Sequence, residues 1–360
     1  MKKVLLGICG IGNGHIERQK NIIDLLLAKD AKIVIATTRN SIERLKRLYP
    51  TIDIVEIIIP WITCNANGVD FSDTLFKYRK SQVNLYEAFL EFANAVEGIL
   101  AGKPNIVISD YEPNVAQYAY ASNIPLINME QQAKYLYIPE ENIDGYGIGE
   151  EISRLNYFFP KSNMRIISSF FPLKVESSET KIIVTSPIVK ELPKNKKCKK
   201  KIIVYLSPYS QNPESYKNLL VTISKLVGFS VVVYTDLIFD DFSYCSRMQF
   251  ERIGEKFKED LSTAEFVIST AGHQLISELL LVDVPMMLFP LPTYEQNYNA
   301  LMVEKYGLGK IIREMNLQEI ERFYSKIDVY EKSIQRFKKE FWKSDWRKIV
   351  AEELCILFEK

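Results

Sequence analysis

The stretch VISTAGHQLISE, residues Val267–Glu278, carries the local pattern that decides the fold. Apolar β-branched residues lead into the small residues Ser269–Gly272, and apolar residues at helical spacing follow. This order predicts a buried strand, a tight turn and a helix, which is the repeating unit of parallel sheets covered by helices. The stretch GICGIGNGHIERQ, residues Gly7–Gln19, follows the same plan near the start of the chain.

The same alternation of short strands and helices extends over most of the chain. One set of predicted strands precedes residue 190, and a second set follows residue 201. The predicted strands are, in order, Lys3–Ile8, Lys32–Thr37, Ile52–Ile59, Ile106–Ser109, Leu126–Met129, Lys181–Thr185, Ile202–Leu206, Ser230–Thr235, Phe266–Ser269 and Pro285–Phe289. Two such sets predict an α/β protein with two facing Rossmann-like domains, each built on a parallel sheet, and a cleft between them.

The domain boundaries follow from changes in composition. The tract Pro187–Lys201 is rich in proline and lysine, which is typical of a solvated connection between domains, although a simple surface loop has the same composition. We therefore expect an N-terminal domain over residues 1–190, a basic linker over 191–201 and a C-terminal domain over 202–330. Residues 331–360 are charged with apolar residues at helical spacing, so we expect closing helices that pack back on the N-terminal domain.

Composition describes an ordinary globular chain of 360 residues, 47% of them hydrophobic and 25% charged, which is enough for two cores. Because 46 Lys and Arg balance 45 Asp and Glu, the chain has no electrostatic reason to bind nucleic acid. The five cysteines have neither metal-ligand nor redox spacing, which predicts reduced thiols, no bound metal and a cytoplasmic protein. No apolar run is long enough to predict a membrane-spanning helix.

The chain has only two histidines, His15 and His273, and each lies in a glycine-bearing turn between a predicted strand and a predicted helix. In an open α/β sheet, ligands bind outside the carboxyl ends of the strands, where such turns lie. We therefore expect both imidazoles to face the cleft. A purely structural role of His15 in its turn is the competing interpretation.

A dinucleotide fingerprint is a second interpretation of the first loop. A GxGxxG motif that starts at Gly10 would need glycine or alanine at the position of His15. The second predicted strand ends at Thr37 without an acid that could bind a ribose. Arg39 could bind a 2′-phosphate instead, so an NADP-dependent enzyme is an alternative.

The second loop has the features of an anion site. Thr270, Gly272 and His273 directly precede or open a predicted helix, whose first N–H groups can hold a diphosphate without a metal. Glu278 follows on the same helix, where a carboxylate can accept hydrogen bonds from both hydroxyls of a ribose. These residues together predict a site for a nucleoside diphosphate.

A third polar group opens the next predicted helix after a buried strand. It consists of Glu295, Gln296 and Asn299, and an acid beside an amide suits the hydroxyls of a sugar. Glu278 and Glu295 also fit the simpler interpretation of solvated carboxylates at helix starts.

From Glu265 to Gly309 the chain resembles the donor-binding region of nucleotide-sugar-dependent GT-B glycosyltransferases, which include UDP-glucuronosyltransferase-like enzymes and the bacterial cell-wall N-acetylglucosaminyltransferase. The loop Gly12–Arg18 is similar to the acceptor-domain loop of this group, and Asn105–Pro113 resembles a bacterial and archaeal surface-glycan subgroup. The matching positions of the donor region are Gly272-His273, Glu278, Pro285, Pro290, Glu295-Gln296, Asn299-Ala300 and Gly307.

The resemblance implies a hexosyltransferase with a GT-B fold that moves a sugar from a nucleotide-sugar donor, a UDP-sugar, to an acceptor hydroxyl in bacterial surface-glycan biosynthesis. It implies inversion without a metal or cofactor. His15 would be the general base, oriented by Asp110 or by Glu112, although Asp110 also fits a helix N-cap. The acceptor-side loop would add Gly12, Gly14 and Arg18. The donor-binding residues would be Ser207, Ile253, Thr270, Gly272, His273, Glu278, Glu295, Gln296 and Asn299.

Several positions depart from the pattern of this group. Ala271 stands where a glycine is frequent, and the loop that begins at Ser207 lacks the glycine that many relatives place near the donor phosphates. Where relatives hold the uracil, the chain offers only Arg252–Gly254. Two functions of other classes therefore stay open, namely a non-hydrolysing nucleotide-sugar epimerase and a non-catalytic partner protein that binds a sugar nucleotide.

The acceptor is open at this stage, and a glycan, a lipid-linked compound or a small molecule would each fit. A lipid-linked acceptor would place the protein at the inner face of the membrane. The aromatic stretches Tyr157–Pro160 and Phe170–Pro172 are more typical of core and loop anchors than of surfaces that dock on a membrane.

Overall fold

The computed structural model describes residues 1–11, 13–57, 64–65, 68–69, 79, 84–138, 147–175, 180–193, 197–207, 213–237, 248–313 and 316–359. The predicted site residue Gly12 and the end of the predicted strand Ile52–Ile59 lie outside the described residues.

The first domain alternates strands and helices from its first residues. Its elements are β1 (Lys3–Ile8), α1 (Asn13–Leu27), β2 (Lys32–Thr37), α2 (Arg39–Leu48), β3 (Asp53–Glu56), β4 (Cys64–Asn65), β5 (Gly68–Val69), α3 (Leu85–Leu100), β6 (Ile106–Asp110), α4 (Pro113–Ser122), β7 (Leu126–Glu130), a 3-10 helix (Gln132–Leu136), α5 (Gly149–Phe158), β8 (Met164–Ser168) and β9 (Lys181–Thr185).

The second domain repeats the plan and is followed by closing helices. The elements are β10 (Lys201–Tyr205), α6 (Pro213–Ser224), β11 (Ser230–Tyr234), β12 (Met248–Glu251), α7 (Glu255–Thr263), β13 (Phe266–Ser269), α8 (His273–Leu281), β14 (Met286–Leu288), α9 (Tyr294–Lys305), β15 (Gly309–Ile311), α10 (Leu317–Tyr324), α11 (Ile327–Phe341) and α12 (Trp346–Glu359).

Each domain is built on one parallel sheet. The first sheet has seven strands in the order β3-β2-β1-β6-β7-β8-β9, and the second has six in the order β12-β11-β10-β13-β14-β15. The strand order reverses between β1 and β6 in the first sheet and between β10 and β13 in the second. A crevice forms at such a switch point, outside the carboxyl ends of the strands. The predicted α/β class with two Rossmann-like sheets is confirmed.

The strands β8, β12 and β15 were not predicted from the sequence. β8 has Arg165 at its second position, and β12 reads MQFE, so neither shows the apolar run of a strand that is buried on both faces. β15 has only three residues. Tertiary pairing in the sheets, rather than local propensity, forms these strands.

The closing helix α12 packs on the first domain, although it follows the second domain in the chain. Trp346, Val350 and Leu354 belong to the core cluster of β1 and α1. Lys181 on β9 forms an ion pair of 2.5 Å with Glu353 on α12. Within the tract Pro187–Lys201, Ile188 is fully buried, so this connection is less solvated than its composition predicts.

Candidate functional site

The first loop brings His15, Arg18 and Asp110 together at the switch point of the first sheet. His15 lies in the first turn of α1, and Asp110 is the last residue of β6. The His15 Nδ1 atom lies 2.8 Å from Asp110 Oδ1. Arg18 donates from Nη2 to Oδ1 of the same carboxylate at 2.5 Å and from Nε to Oδ2 at 3.0 Å. Asp110 is fully buried, and His15 is 9% exposed.

Gln19 completes the surroundings of Asp110. Its Nε2 atom donates to Asp110 Oδ2 at 2.8 Å and to the carbonyl oxygen of Met129 at 3.1 Å. Burial alone would raise the pKa of Asp110, but the charge of Arg18 and the hydrogen bonds from His15 and Arg18 hold the pKa below its usual range. The carboxylate is therefore ionised and accepts a hydrogen bond from the N–H at His15 Nδ1. This leaves Nε2 as the basic nitrogen of the neutral ring.

The turn after Asp110 is conformationally strained. Tyr111 has a φ of 53°, in the left-handed region that an aromatic residue rarely adopts. Ser109 Oγ holds the turn, because it accepts from the Glu112 N–H at 3.0 Å and donates to the Glu112 carbonyl at 2.9 Å. The Tyr111 hydroxyl donates to Glu151 at 2.6 Å. This turn fixes the direction of Asp110 at the end of β6.

Glu112 has a different position from Asp110. Its Oε2 atom accepts from the N–H of Val115 at 2.9 Å, so it caps α4. Asn114 donates to the other oxygen at 3.0 Å. Burial raises the pKa of Glu112 to about 7. Of the two candidate acids, Asp110 contacts His15, and Glu112 serves as the N-cap that was considered for Asp110.

The glycines of the first loop allow close approach of neighbouring chain segments. A Cβ atom at Gly10 would lie 1.7 Å from the side-chain oxygen of Thr38, so any other residue there would require the Thr38 side chain to move. A Cβ atom at Gly14 would lie 3.4 Å from the Cβ of Gln274. The first turns of α1 and α8, which carry the two histidines, therefore pack close together at the boundary between the domains.

Among the described residues, the start of α8 has no side-chain cap from its N-cap residue. Gly272 is its N-cap residue in an extended conformation, with φ of −68° and ψ of 129°. The first N–H groups of a helix have no acceptor within the helix. A Cβ atom at Gly272 would meet no atom within 4 Å among the described residues, so there is open space beside the turn.

His273 and Thr270 are buried at this turn, each 3% exposed. Within the described part of the chain, neither ring nitrogen of His273 has a hydrogen-bond partner. The ring of Phe170, from the first domain, lies 5.3 Å from the His273 ring. Burial and the charges of Lys134 and Arg18 hold the pKa of His273 well below its usual range.

Gln296 and Asn299 hold the second loop in place. Gln296 Oε1 accepts from the N–H groups of Ala271 at 3.0 Å and Leu291 at 2.9 Å, so it ties the turns after β13 and β14 together. Asn299 Nδ2 donates to the carbonyl oxygen of Ala271 at 3.0 Å. Gln296 and Asn299 therefore each use at least one polar atom to support the turn before α8.

Glu278 takes part in an ion cluster that joins the two domains. Lys258 on α7 contacts Glu17 on α1 and lies 3.9 Å from Glu278 Oε1. Gln274 Nε2 also donates to Glu278 Oε1 at 3.2 Å. Burial raises the pKa of Glu278, although Lys258 opposes the rise. Burial alone would also raise the pKa of Glu17, but the charges of Lys258, Lys20 and Arg44 hold it below its usual range.

A second set of contacts joins the domains at the start of α9. Gln131 Nε2 donates to Glu295 Oε1 at 2.7 Å. Lys134 Nζ donates to Gln131 Oε1 and, at 3.3 Å, to Asn299 Oδ1. Lys134 is fully buried, with Nζ 5.0 Å from the centre of the Tyr135 ring.

Ser207 and Ile253 lie at the carboxyl ends of strands in the second sheet. Tyr205 on β10 pairs with Ser269 on β13, so Ser207 leaves its strand beside the turn that precedes α8. Ile253 follows β12, at the edge of this sheet, and is half-buried against the main core. The structure thus keeps Ile253 two strands away from Ser207.

Sequence reasoning did not identify Gln19, Gln131, Lys134 and Lys258 as site residues. Gln19 had a detectable signal, because it lies four residues after His15 and so on the same face of α1. Lys134 and Lys258 had none, since lysines are mostly exposed and these contacts link positions far apart in the chain.

Within the described residues, no group of three or more His, Cys, Asp or Glu side chains could hold a metal ion. None of the described helices combines the length and the apolar character needed to span a bilayer.

A family model described as glycosyl transferase family 1 matches residues 2–328. The UDP-N-acetylglucosamine--N-acetylmuramyl-(pentapeptide) pyrophosphoryl-undecaprenol N-acetylglucosamine transferase of Geobacillus kaustophilus is 34% identical over 98 residues, which are 24% of this chain and 28% of that protein. Its namesake from Staphylococcus saprophyticus is 32% identical over 118 residues, which are 30% of this chain and 33% of that protein. The chain thus spans about a third of the length of these curated relatives.

Solved structures resemble the whole chain at low identity. UGT2 of Phytolacca americana, complexed with UDP-2fluoro-glucose and pterostilbene, has a TM-score of 0.72 at 11% identity, covering 100% of this chain and 99% of that chain. The spinosyn forosaminyltransferase SpnP has a TM-score of 0.70 at 12% identity, covering 100% of both chains. At these identities the similarity shows the fold alone, and it confirms the predicted GT-B arrangement.

Proposed function

Since the chain belongs to glycosyl transferase family 1, we propose that it transfers a sugar from a nucleotide-sugar donor, a UDP-sugar, to an acceptor hydroxyl in the cleft. The observation that carries the proposal is the pairing of His15 with buried Asp110, opposite the uncapped start of α8. One turn supplies a base, and the facing turn supplies N–H groups for an anion. Both are required for glycosyl transfer with inversion.

His15 would act as the general base. Its Nδ1–H donates a hydrogen bond to ionised Asp110, so Nε2 can accept the proton of the acceptor hydroxyl as the new glycosidic bond forms. Asp110 stabilises the resulting imidazolium, while Arg18 and Gln19 fix the carboxylate. In this reaction the bond between the sugar and the diphosphate breaks, and its electron pair leaves with the diphosphate.

The start of α8 would stabilise that departing diphosphate. Its free N–H groups and the helix dipole favour negative charge, without a metal or cofactor. Thr270, Gly272 and His273 surround this position, and Ser207 leaves the neighbouring strand beside it. Glu278 would bind the ribose after release from Lys258, and Glu295 would bind the sugar.

The matches to cell-wall N-acetylglucosaminyltransferases support a glycan or lipid-linked acceptor in bacterial surface-glycan synthesis. Such an acceptor would bring this protein to the cytoplasmic face of the membrane. A small-molecule acceptor is the alternative, which an acceptor screen would decide.

The test begins with thermal shifts for a panel of nucleoside diphosphates and their sugars, because a ligand of the native state raises the melting temperature. The best donor is then incubated with glycan, lipid-linked and small-molecule acceptors. We expect His15→Gln to lower kcat by about 10²- to 10⁴-fold while donor affinity changes less than about twofold.

Three outcomes would contradict the proposal. Turnover of the donor sugar without an acceptor would indicate an epimerase. Unchanged activity of His15→Gln would exclude the proposed base. Failure to bind any nucleotide or nucleotide sugar would exclude the whole assignment.

A further inference from the structure

Lys134 is a buried amine without a carboxylate partner among the described residues. Its side chain is fully buried in the 3-10 helix that follows β7 of the first domain. Within the described part of the chain, no carboxylate lies within 4.0 Å of its Nζ atom, and the two hydrogen bonds go to the neutral amides of Gln131 and Asn299. Buried charges are normally paired, so this position favours a negatively charged ligand.

Two hydrogen bonds connect Lys134, through Asn299, to the turn that precedes α8. Lys134 donates to Asn299 Oδ1 at 3.3 Å, and Asn299 donates to the carbonyl oxygen of Ala271 at 3.0 Å. The next residue, Gly272, is the N-cap of α8. One side chain, that of Asn299, therefore separates the Lys134 amine from the turn in which the first N–H groups of α8 could hold an anion.

His273 provides an independent sign of a polar ligand at this turn. It is 3% exposed, and neither of its ring nitrogens has a partner among the described residues. The charge of Lys134 acts on this ring and helps to lower its pKa, so the two side chains share one electrostatic environment. An anion that contacted both side chains would give Lys134 a counter-ion and the His273 ring a hydrogen-bond partner.

We propose that Lys134 is a catalytic residue that the acceptor-binding domain contributes to the donor site, where it neutralises the diphosphate of the donor. This proposal rests on the proposed function. The first domain then supplies both the base, His15, and a cation for the leaving group. Donor chemistry would require the two domains to be closed, since Lys134 of the first domain contacts Asn299 on α9 of the second.

The charges around Lys134 give the proposal a measurable proton linkage. Burial lowers the pKa of Lys134 to about 7, and Arg18 on α1 acts in the same direction, whereas Glu295 on α9 and Glu151 on α5 oppose the decrease. His273 on α8 and Tyr135, whose pKa burial raises well above its usual range, are further titratable neighbours among the described residues. A diphosphate beside Nζ would raise the pKa, so Lys134 would take up a proton from solvent when the ligand binds.

The experiment is calorimetric titration at pH 8 with UDP and with uridine, in two buffers of different ionisation enthalpy. At this pH the diphosphate of UDP is fully ionised, so proton uptake reports on the protein. We expect wild type to bind UDP more tightly than uridine and to take up a fraction of a proton. In Lys134→Met, the ratio of the affinity for UDP to the affinity for uridine should fall by about 10- to 100-fold, and most of the proton uptake should be lost.

Two variants serve as controls. Lys134→Arg should retain the preference for UDP, because it keeps the charge, and its kcat should exceed that of Lys134→Met. Lys256→Met removes an exposed lysine of α7 and should bind both ligands as wild type does. Melting temperatures are measured first, and Lys134→Gln replaces Lys134→Met if the latter does not fold.

The outcomes separate this inference from the proposed function. If wild type binds UDP and Lys134→Met keeps the wild-type preference over uridine, the role of Lys134 is wrong and the transferase proposal stands. If wild type binds neither UDP nor any other nucleoside diphosphate of the panel, both proposals fail.

Discussion

Two neighbouring carboxyl groups, those of Asp110 and Glu112, have different roles because of what each one contacts. Asp110 contacts His15 and Arg18, whereas Glu112 caps α4. We expect Asp110→Asn to lower kcat by about 10²- to 10⁴-fold, because Asn can hold the wrong tautomer of His15. Glu112→Gln keeps one side-chain oxygen that can still accept the capping hydrogen bond, so kcat should stay within about threefold of wild type.

The measurement is a steady-state transfer assay well below the melting temperature of each variant. Asp110→Asn also leaves Arg18 without its counter-ion, so its free energy of unfolding should fall by about 3–5 kcal/mol. An equal loss of kcat in Glu112→Gln would contradict the assignment of Asp110.

Glu130, the last residue of β7, makes stability depend on pH. It is fully buried, and neither carboxyl oxygen has a partner among the described residues. Burial raises its pKa to about 8, against the opposing charge of Arg165. The folded state therefore favours the neutral carboxyl group. Its contribution to the free energy of unfolding is fully present below about pH 4.5 and is lost as the pH rises through about 8.

We expect Glu130→Gln to become more stable relative to wild type as the pH rises from about 5 to about 9, by a few kcal/mol. Urea denaturation at a series of pH values measures this difference. Glu91→Gln on α3 removes an exposed carboxylate and should show no such trend. A difference between Glu130→Gln and wild type that stays constant with pH would refute the argument.

The residues of the site were predictable to different degrees. His15, Asp110 and His273 follow strands of parallel sheets, and such positions converge by topology, which sequence patterns indicate. Lys134 and Lys258 could not be found this way, because their partners Asn299 and Glu17 belong to the other domain. The roles assigned to the site residues stay predictions until they are tested.

At the level of elements, helix ends carry strain that can be measured. Ala101 ends α3 in a left-handed conformation with a φ of 52°, which costs an alanine about 1 kcal/mol and glycine little. We expect Ala101→Gly to raise the free energy of unfolding by about 0.5–1 kcal/mol. Ala121→Gly, at an exposed position within α4, should lower it by about 1 kcal/mol.

Chemical denaturation of both variants provides the test. Because the two substitutions are chemically identical, opposite signs isolate the backbone conformation as the cause. Destabilisation by Ala101→Gly would show that the left-handed residue carries no strain.

The elements themselves were largely predictable where an apolar run fills most of the strand, as in β1, β2, β10 and β11. The strands β8, β12 and β15 were not predictable. β8 contains Arg165, apolar and polar residues alternate in β12, and β15 has only three residues. Their pairing partners in the sheet decide their conformation, and a local pattern does not contain this information.

At the level of the whole molecule, Lys258 holds the two domains together at the cleft. It contacts Glu17 of the first domain and lies 3.9 Å from Glu278 of its own. Without the lysine, two nearly buried carboxylates would face each other across the boundary. We expect Lys258→Met to destabilise the protein by about 2–4 kcal/mol and to increase its radius of gyration in solution scattering.

Lys256→Met is the matched control, because Lys256 pairs with Glu251 in the same domain, exposed to solvent. Its effect on the free energy of unfolding should stay within about 0.5 kcal/mol. If both variants scatter and unfold alike, Lys258 has no special role in domain closure.

The fold class was predictable because the alternation of strand and helix appears twice along the chain. The relative placement of the two domains was not, because it depends on contacts such as that of Gly14 with Gln274, which no local pattern indicates.

The return of α12 to the first domain has a consequence for the order in which a ribosome releases the protein. Trp346, Val350 and Leu354 are synthesised after the whole second domain, yet they fill the core around β1. The first domain must therefore wait, incompletely covered, while the segment between residues 201 and 341 can assemble as it emerges. We expect nascent chains that are stalled before residue 346 to be sensitive to proteases mainly in their N-terminal half.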